Sequence, residues 1–205
     1  MLDFFHLNSS CSTAVKAALA VADEPHNLIP VDLGAKTEAF LKANPQGKVP
    51  AILTGDAALF EGGAINLWIS ARNPDAGLMP PLNSTEGAEA LKWLFFAYAT
   101  IHPVWVRLFF PDRFADSSAK ESVLAKARDD LFQHYAMINA QVEKTPFIAG
   151  EALSLADLYL AATIHWEQAL EGKLTEKFPA LMQHRDRVIA QPGVKEAFSG
   201  EFGYA

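Results

Sequence analysis

A single cysteine in 205 residues rules out an intramolecular disulfide framework and fits a reducing compartment. Long apolar runs are missing too. No stretch reaches the roughly 18 residues of a membrane span, and the N-terminus lacks the basic and apolar regions of a signal peptide, so a cytoplasmic location is expected. Basic runs are also absent. With a net charge of −7 and a pI near 5.3, neither nucleic acid nor an anionic membrane is expected as a partner, and a small-molecule ligand is. The six histidines are scattered, none at zinc-binding spacing to the cysteine, so no metal is expected. What the chain does have is apolar content: half of it is hydrophobic and one fifth charged, ample for buried cores.

Residues 2–7 have strand composition, and Ser9-Ser10-Cys11-Ser12-Thr13 precedes an alanine-rich helical segment at 14–22. A strand at 27–31, a short helix at 37–43, a hairpin of 51–53 and 57–60 across Thr54-Gly55-Asp56-Ala57, and a helix at 64–72 follow. The order βαβαββα, with a cis-proline before its third strand, resembles a thioredoxin fold. Residues 73–86 carry three prolines and two asparagines without any period, which reads as a linker. Beyond it the pattern is helical only: 88–110 with a kink near Pro103, 118–143, 155–169, 179–190 and 194–198. Since domains commonly run to about 100–150 residues, two small ones are expected: 1–74, a linker at 75–86, and an all-helical 87–205.

Two segments carry recognisable chemistry. In Asn44-Pro45-Gln46-Gly47-Lys48-Val49-Pro50-Ala51-Ile52-Leu53, proline opens an apolar strand, a place where it removes a ladder donor. A cis Val49-Pro50 bond there turns the chain and leaves the Val49 peptide groups outward, free to pair with an extended peptide ligand. In Phe60-Glu61-Gly62-Gly63-Ala64-Ile65, bare glycine amides at a helix start suit a carboxylate, and Glu61 suits an ammonium. Together they match an amino-acid head group. The plainer reading of the second segment is a strand-to-helix turn in which Glu61 favours the helix dipole. Ser154-Leu155-Ala156-Asp157 ahead of an apolar run is a capping-box pattern, a structural signal worth about 1 kcal/mol.

These motifs, in this order, resemble the cytosolic glutathione transferases from end to end. Residues 44–53 resemble the family's cis-proline segment, 61–65 its γ-glutamyl-binding turn, and Phe147-Ile148-Ala149-Gly150 through Asp157 its folding motif. Gln191-Pro192-Gly193-Val194 adds a weaker similarity. The resemblance implies a thioredoxin-like α/β N-terminal domain, an all-α C-terminal domain, a homodimer, and glutathione as co-substrate. It implies that Val49, after which Pro50 turns the chain, offers its backbone, that Lys48 approaches the glycyl carboxylate, and that Glu61 with the Gly62 amide holds the γ-glutamyl end. Many family members have serine where this chain has Gly62, which puts one hydrogen bond in question.

The activating group stays open among Ser9, Ser10 and Cys11. The tyrosine that many members carry after the first strand is replaced here by Phe4 and Phe5, and the first tyrosine is Tyr98. Ser9-Ser10-Cys11-Ser12 resembles the Ser-Ser-Cys motif of the zeta class, which includes maleylacetoacetate isomerase, while Cys11 lies near the cysteine of bacterial beta-class enzymes. A hydroxyl at a helix start stabilises a thiolate, with Ser9 first in line. Cys11 at the same helix start is expected to have a lowered pKa and to form mixed disulfides, or else to be a small buried hydrophobe. The zeta pattern continues with a cation soon after the cysteine, whereas here Lys16 is the first.

A second substrate is expected between the domains, against some of Phe95, Phe96, Tyr98, His102, Trp105, Phe109 and Phe110. Arg107 and Arg113 are open to two roles, an anionic co-substrate or surface ion pairs. The functional expectation is attack of a glutathione thiolate on a hydrophobic electrophile. The alternatives are a glutathione-dependent isomerase of maleylacetoacetate or maleylpyruvate type, a cysteine-based disulfide reductase or peroxidase, and a non-catalytic binding protein of the same fold.

Overall fold

The computed structural model describes residues 1–55, 57–170 and 173–203. Asp56, in the expected hairpin turn, lies outside the described residues. The N-terminal half runs β1 (Leu2–His6), α1 (Thr13–Val21), β2 (His26–Pro30), α2 (Glu38–Ala43), β3 (Ala51–Thr54), β4 (Ala57–Phe60) and α3 (Gly62–Arg72). The sheet order is β2-β1-β3-β4, with β2 parallel to β1 and the other neighbours antiparallel. This is the expected βαβαββα order, and the Val49-Pro50 bond ahead of β3 is cis. β1 explains why helices cover both faces. Its side chains alternate, so Leu2 and Phe4 join α1 and α3 in the main core, while Phe5 turns to the other face. There it meets Phe40 of α2, ring centroids 5.5 Å apart.

The second half is helical: α4 (Thr85–Phe95), α5 (His102–Phe109), α6 (Lys120–Val142), α7 (Leu155–Ile164), α8 (Leu174–Lys177), α9 (Pro179–Ile189) and α10 (Val194–Phe198). Two expectations need correction. The helix expected over 88–110 is two helices, α4 and α5, joined by a π-helical turn at Phe96–Ile101. Pro103 supplies no N–H for a regular bond to the fourth carbonyl back, and the chain answers with one wider turn, His102 N–H donating to the Ala97 carbonyl. The helix expected over 155–169 ends at Ile164 and tightens into a 3-10 turn at His165–Ala169. The short α8 was not expected at all.

α7 is the centre of this half, with every one of its residues buried, including Asp157. The capping box forms as expected: Asp157 Oδ2 accepts from the Ser154 N–H at 2.8 Å and from its hydroxyl at 2.6 Å. The other carboxylate oxygen goes further than a cap. It accepts from the Ile148 N–H at 2.7 Å and from His184 Nε2 of α9, also at 2.7 Å, so one buried carboxylate ties three segments. The core is continuous across the two halves, since α1 packs against both α7 and α10.

Candidate functional site

A cavity of about 1330 Å³ lies between the sheet half and the helical half. Four connections of the sheet half, β1–α1, β2–α2, α2–β3 and β4–α3, and the α4–α5 region wall it. Its lining contains Ser9, Ser10, Cys11, Lys48, Val49, Pro50, Glu61, Gly62, His102 and Trp105, whereas Phe96 and Arg107, also candidates for the second substrate, do not line it. Among the described residues no cluster of histidine, cysteine and carboxylate side chains is arranged to hold a metal ion.

The strand-opening segment presents a free donor. The Val49 N–H has no partner among the described residues, while the Val49 carbonyl faces the Cys11 thiol, S to O 3.4 Å. That carbonyl is therefore less free than the sequence suggested. Asn44 braces the turn by donating from Nδ2 to the Lys48 carbonyl at 2.8 Å. Lys48 Nζ donates to Gln46 at 3.0 Å, and Lys36, a cavity residue the sequence reading missed, lies over Gly47. A side-chain carbon on Gly47 would meet Lys36 Nζ at 2.7 Å, and Gly47 has φ +61°.

At β4–α3, Gly62 and Gly63 form the first turn of the helix rather than a preceding bend. The first N–H groups of a helix have no partner within it, and the Glu61 side chain does not cap them. Glu61 is an exposed carboxylate with φ +72°, a left-handed backbone that non-glycine residues adopt at a cost of about 1–3 kcal/mol. Why glycine stands at 62 is now clear. A Cβ there would lie 2.8 Å from Cε1 and 2.9 Å from the hydroxyl oxygen of Tyr98, delivered by the π-helical turn. Tyr98 cannot swing clear easily: its ring stacks on Tyr159 at 3.7 Å and its hydroxyl accepts from Asn66 Nδ2 at 3.1 Å. So a tyrosine does reach this cavity, from the helical half rather than from β1. Tyr98 is among the residues expected to face the second substrate, and the π turn that carries it brings it against Gly62 as well.

The α1 loop is held from the far end of the chain. Ser9 has φ +59°, and three groups outside the loop hold it there. Its N–H donates to Glu201 Oε2, its carbonyl accepts from Trp166 Nε1 at 3.1 Å, and its hydroxyl oxygen accepts from the Phe202 N–H at 2.8 Å. The Ser9 hydroxyl keeps its proton to donate. Ser10 does not, since its hydroxyl donates to the Leu7 carbonyl at 2.7 Å. Fully buried Glu201 also accepts from His6 Nε2 at 2.8 Å, Lys16 Nζ at 2.8 Å and the Thr13 hydroxyl at 3.2 Å. Burial pushes the Glu201 carboxyl up, but the hydrogen bonds from His6, Lys16 and Ser9 together outweigh it and bring the pKa down to about 2.

Cys11 departs from the expected lowered pKa. Burial dominates and pushes its thiol up to about 12; the backbone N–H groups of Cys11 and Ser12 oppose it too weakly, and the Glu61 charge adds to the rise. At neutral pH it is a thiol, hence a donor. His102 is moved the other way, to about 4, by burial and then by the Lys48 charge. The Tyr159 phenol, kept protonated by burial, meets His102 Nδ1; donating there, it leaves the neutral imidazole's proton on Nε2.

The helical wall is aromatic: Trp105 and Trp166 stand edge to face with centroids 5.8 Å apart, and Phe109 stacks on Trp105 at 5.5 Å. The expected surface ion pairs of Arg107 and Arg113 do not form among the described residues. Arg107 lies over the Phe114 ring at 5.7 Å and Arg113 over Phe110 at 4.1 Å; only Arg113 lines the cavity.

Comparison with known proteins agrees with this architecture. Residues 5–77 match the family described as glutathione S-transferase, N-terminal domain, and residues 96–192 match glutathione S-transferase, C-terminal domain. The chain is 28% identical over 207 residues to glutathione S-transferase GstA of Escherichia coli O157:H7, covering 98% of each protein. It is 25% identical over 209 residues to disulfide-bond oxidoreductase YfcG of Escherichia coli K12, covering 96% of this chain and 94% of that one. A solved sphingomonad glutathione S-transferase, complexed with glutathione, superposes with a TM-score of 0.84 at 31% identity over 99% of this chain and 100% of its own. With both halves matched in succession and a full-length solved relative sharing the thioredoxin-like sheet and the helical half, this chain belongs to the glutathione S-transferase family.

Proposed function

We propose that the protein binds glutathione in this cavity and directs its thiolate at a hydrophobic electrophile. The observation that carries the reading is a pairing of complementary groups in one wall. The uncapped amides of Gly62 and Gly63 stand beside the exposed Glu61 carboxylate, and the unpartnered Val49 N–H lies on the same cavity. Such a wall fits the γ-glutamyl carboxylate, its ammonium and the cysteinyl backbone of one extended tripeptide, with Lys36 and Lys48 for the glycyl carboxylate. The relative solved with glutathione is in keeping with this.

In this reading the sulfur lies at the start of α1. Ser9 is the hydroxyl donor to the thiolate, because its proton is not committed, whereas Ser10 donates to the Leu7 carbonyl and the Cys11 thiol to the Val49 carbonyl. A donor at the sulfur favours its charged form and so lowers its pKa. The second substrate lies against Phe109 and Trp166, beside His102, with the expected Trp105 fully buried behind them and stacked on Phe109, and this apolar surface excludes water from the attacking thiolate. A homodimer in the cytoplasm, the domain limits 1–74 and 87–205, and a detoxifying role belong to the same proposal.

A second reading, thiol-disulfide exchange at Cys11, draws support from the similarity to YfcG. The raised Cys11 pKa runs against it, since the thiolate is the attacking species. Calorimetric titration with glutathione tests the first reading directly, with binding expected and its absence overturning it. Assays with aryl halides against disulfides then separate the two chemistries, and Cys11→Ala is expected to abolish turnover only if the second is right.

A further inference from the structure

Charge bookkeeping in the cavity leaves one group over. Among the described lining residues the cations are Lys36, Lys48 and Arg113, against the single carboxylate of Glu61. Glutathione carries two carboxylates and one ammonium. On the proposed binding mode, on which this inference rests, the ammonium meets Glu61, one carboxylate meets the Gly62-Gly63 amides, and the other meets the two lysines. Both lysines lie at one turn of the cavity wall, Lys36 over Gly47 and Lys48 bonded to Gln46. Arg113 is left without an assignment.

Its surroundings are those of a recognition group. Arg113 follows α5 in a short 3-10 turn at Pro111–Arg113, on the aromatic wall. No carboxylate lies within 4.0 Å of it among the described residues; its neighbour Asp112 is engaged instead by Lys120 at 3.0 Å. The guanidinium carbon sits 4.1 Å from the Phe110 centroid, a cation–π contact. Its forked donors meet no acceptor among the described residues and are available to a planar oxyanion. On the same cavity, Phe95, Phe109, Phe110 and Phe114 are between 40% and 56% exposed, an apolar surface that continues from the Arg113–Phe110 contact.

We propose that Arg113 and the phenylalanines beside it form the subsite for an aromatic electrophile that bears a carboxylate or sulfonate. The rings stack on the substrate's aromatic system and Arg113 pairs with its anion, fixing which ring carbon faces the sulfur. With an aryl halide, the thiolate sulfur forms a bond to the ring carbon, and the halide leaves with the electrons of the carbon–halogen bond. The proton of the original thiol passes to solvent. Arg113 touches the anionic substituent and not the reacting carbon.

The test compares 4-chloro-3,5-dinitrobenzoate with its methyl ester, each kcat/KM divided by the uncatalysed rate with glutathione. A preference of about tenfold for the carboxylate is expected in the wild type, equivalent to about 1.4 kcal/mol. The ratio is expected to fall to near one in Arg113→Gln and to persist in Arg107→Gln, whose arginine lies outside the cavity. No preference in the wild type, survival of the preference in Arg113→Gln, or equal loss in Arg107→Gln overturns the proposal. Quenching of tryptophan fluorescence by 3,5-dinitrobenzoate and by its methyl ester, without glutathione, reads the subsite apart from the chemistry. Equal affinities there overturn the anion subsite whatever glutathione does, whereas failure to bind glutathione with tighter binding of the benzoate overturns only the transferase reading.

Discussion

The backbone N–H of Ser9 donates to the carboxylate of Glu201, a residue 192 positions further along the chain. The loop at the start of α1 thus owes its left-handed turn at Ser9 to a buried acid at the opposite end of the protein.

Glu201→Ala is expected to destabilise the fold by about 3 kcal/mol, as for removing one partner of a buried ion pair, leaving His6 and Lys16 facing an emptied pocket. The pH dependence follows from the lowered pKa. A carboxyl depressed from 4.5 to about 2 stabilises the folded state fully above 4.5, and that stability is lost as pH falls toward 2. Denaturant midpoints measured from pH 6 down to 2.5 should fall more steeply in the wild type than in Glu201→Gln. Parallel curves would show that the carboxylate is not the titrating group.

Gly62→Ala is expected to cost about 1–3 kcal/mol, because the new methyl meets the Tyr98 ring while Tyr159 blocks its retreat. Shortening Tyr98 to alanine should remove most of that penalty. The coupling is read from a double-mutant cycle in urea, and additive effects would show that the two positions do not touch.

Glu61→Gln is expected to weaken glutathione binding by about 1.5 kcal/mol, the lower end for a hydrogen bond to a charged group, since Glu61 is exposed to solvent. Its thermal midpoint should stay near that of the wild type. Wild-type affinity by calorimetry would reduce Glu61 to a helix-start residue.

Asp157→Ala is expected to cost about 3 kcal/mol or more, beyond the value of a simple cap, because Ile148, Ser154 and His184 all lose a buried acceptor. Glutathione affinity of the folded variant should stay nearly intact. A large loss of affinity with unchanged stability would place Asp157 in the site instead of the core.

Ser9→Ala is expected to raise the pKa of the bound glutathione thiol by about 1–2 units, the equivalent of one hydrogen bond to a charged sulfur. Thiolate absorbance against pH, followed in Ser9→Ala, Ser10→Ala and Cys11→Ala, ranks the three residues. Ser10→Ala should move it least, its proton being bound to the Leu7 carbonyl. A Ser9→Ala titration that matches wild type would discard the serine mechanism.

Local chemistry made much of this protein legible from its sequence. Proline at the head of an apolar run, paired glycines after a strand, and Ser154 three residues before Asp157 each constrain backbone or hydrogen bonds within a few residues, so the cis turn, the helix starts and the βαβαββα order could be read directly. Other features depend on distant residues meeting. That Glu201, Phe202 and Trp166 grip Ser9, that Tyr98 fills the space beside Gly62, and that His184 completes Asp157 are contacts between segments far apart in sequence, and no local pattern encodes them. Helix-start position predicted a lowered pKa for Cys11. Only the packing around it showed that burial outweighs the helix amides, because desolvation of a charge depends on the whole surrounding volume and not on the residues beside it in the chain.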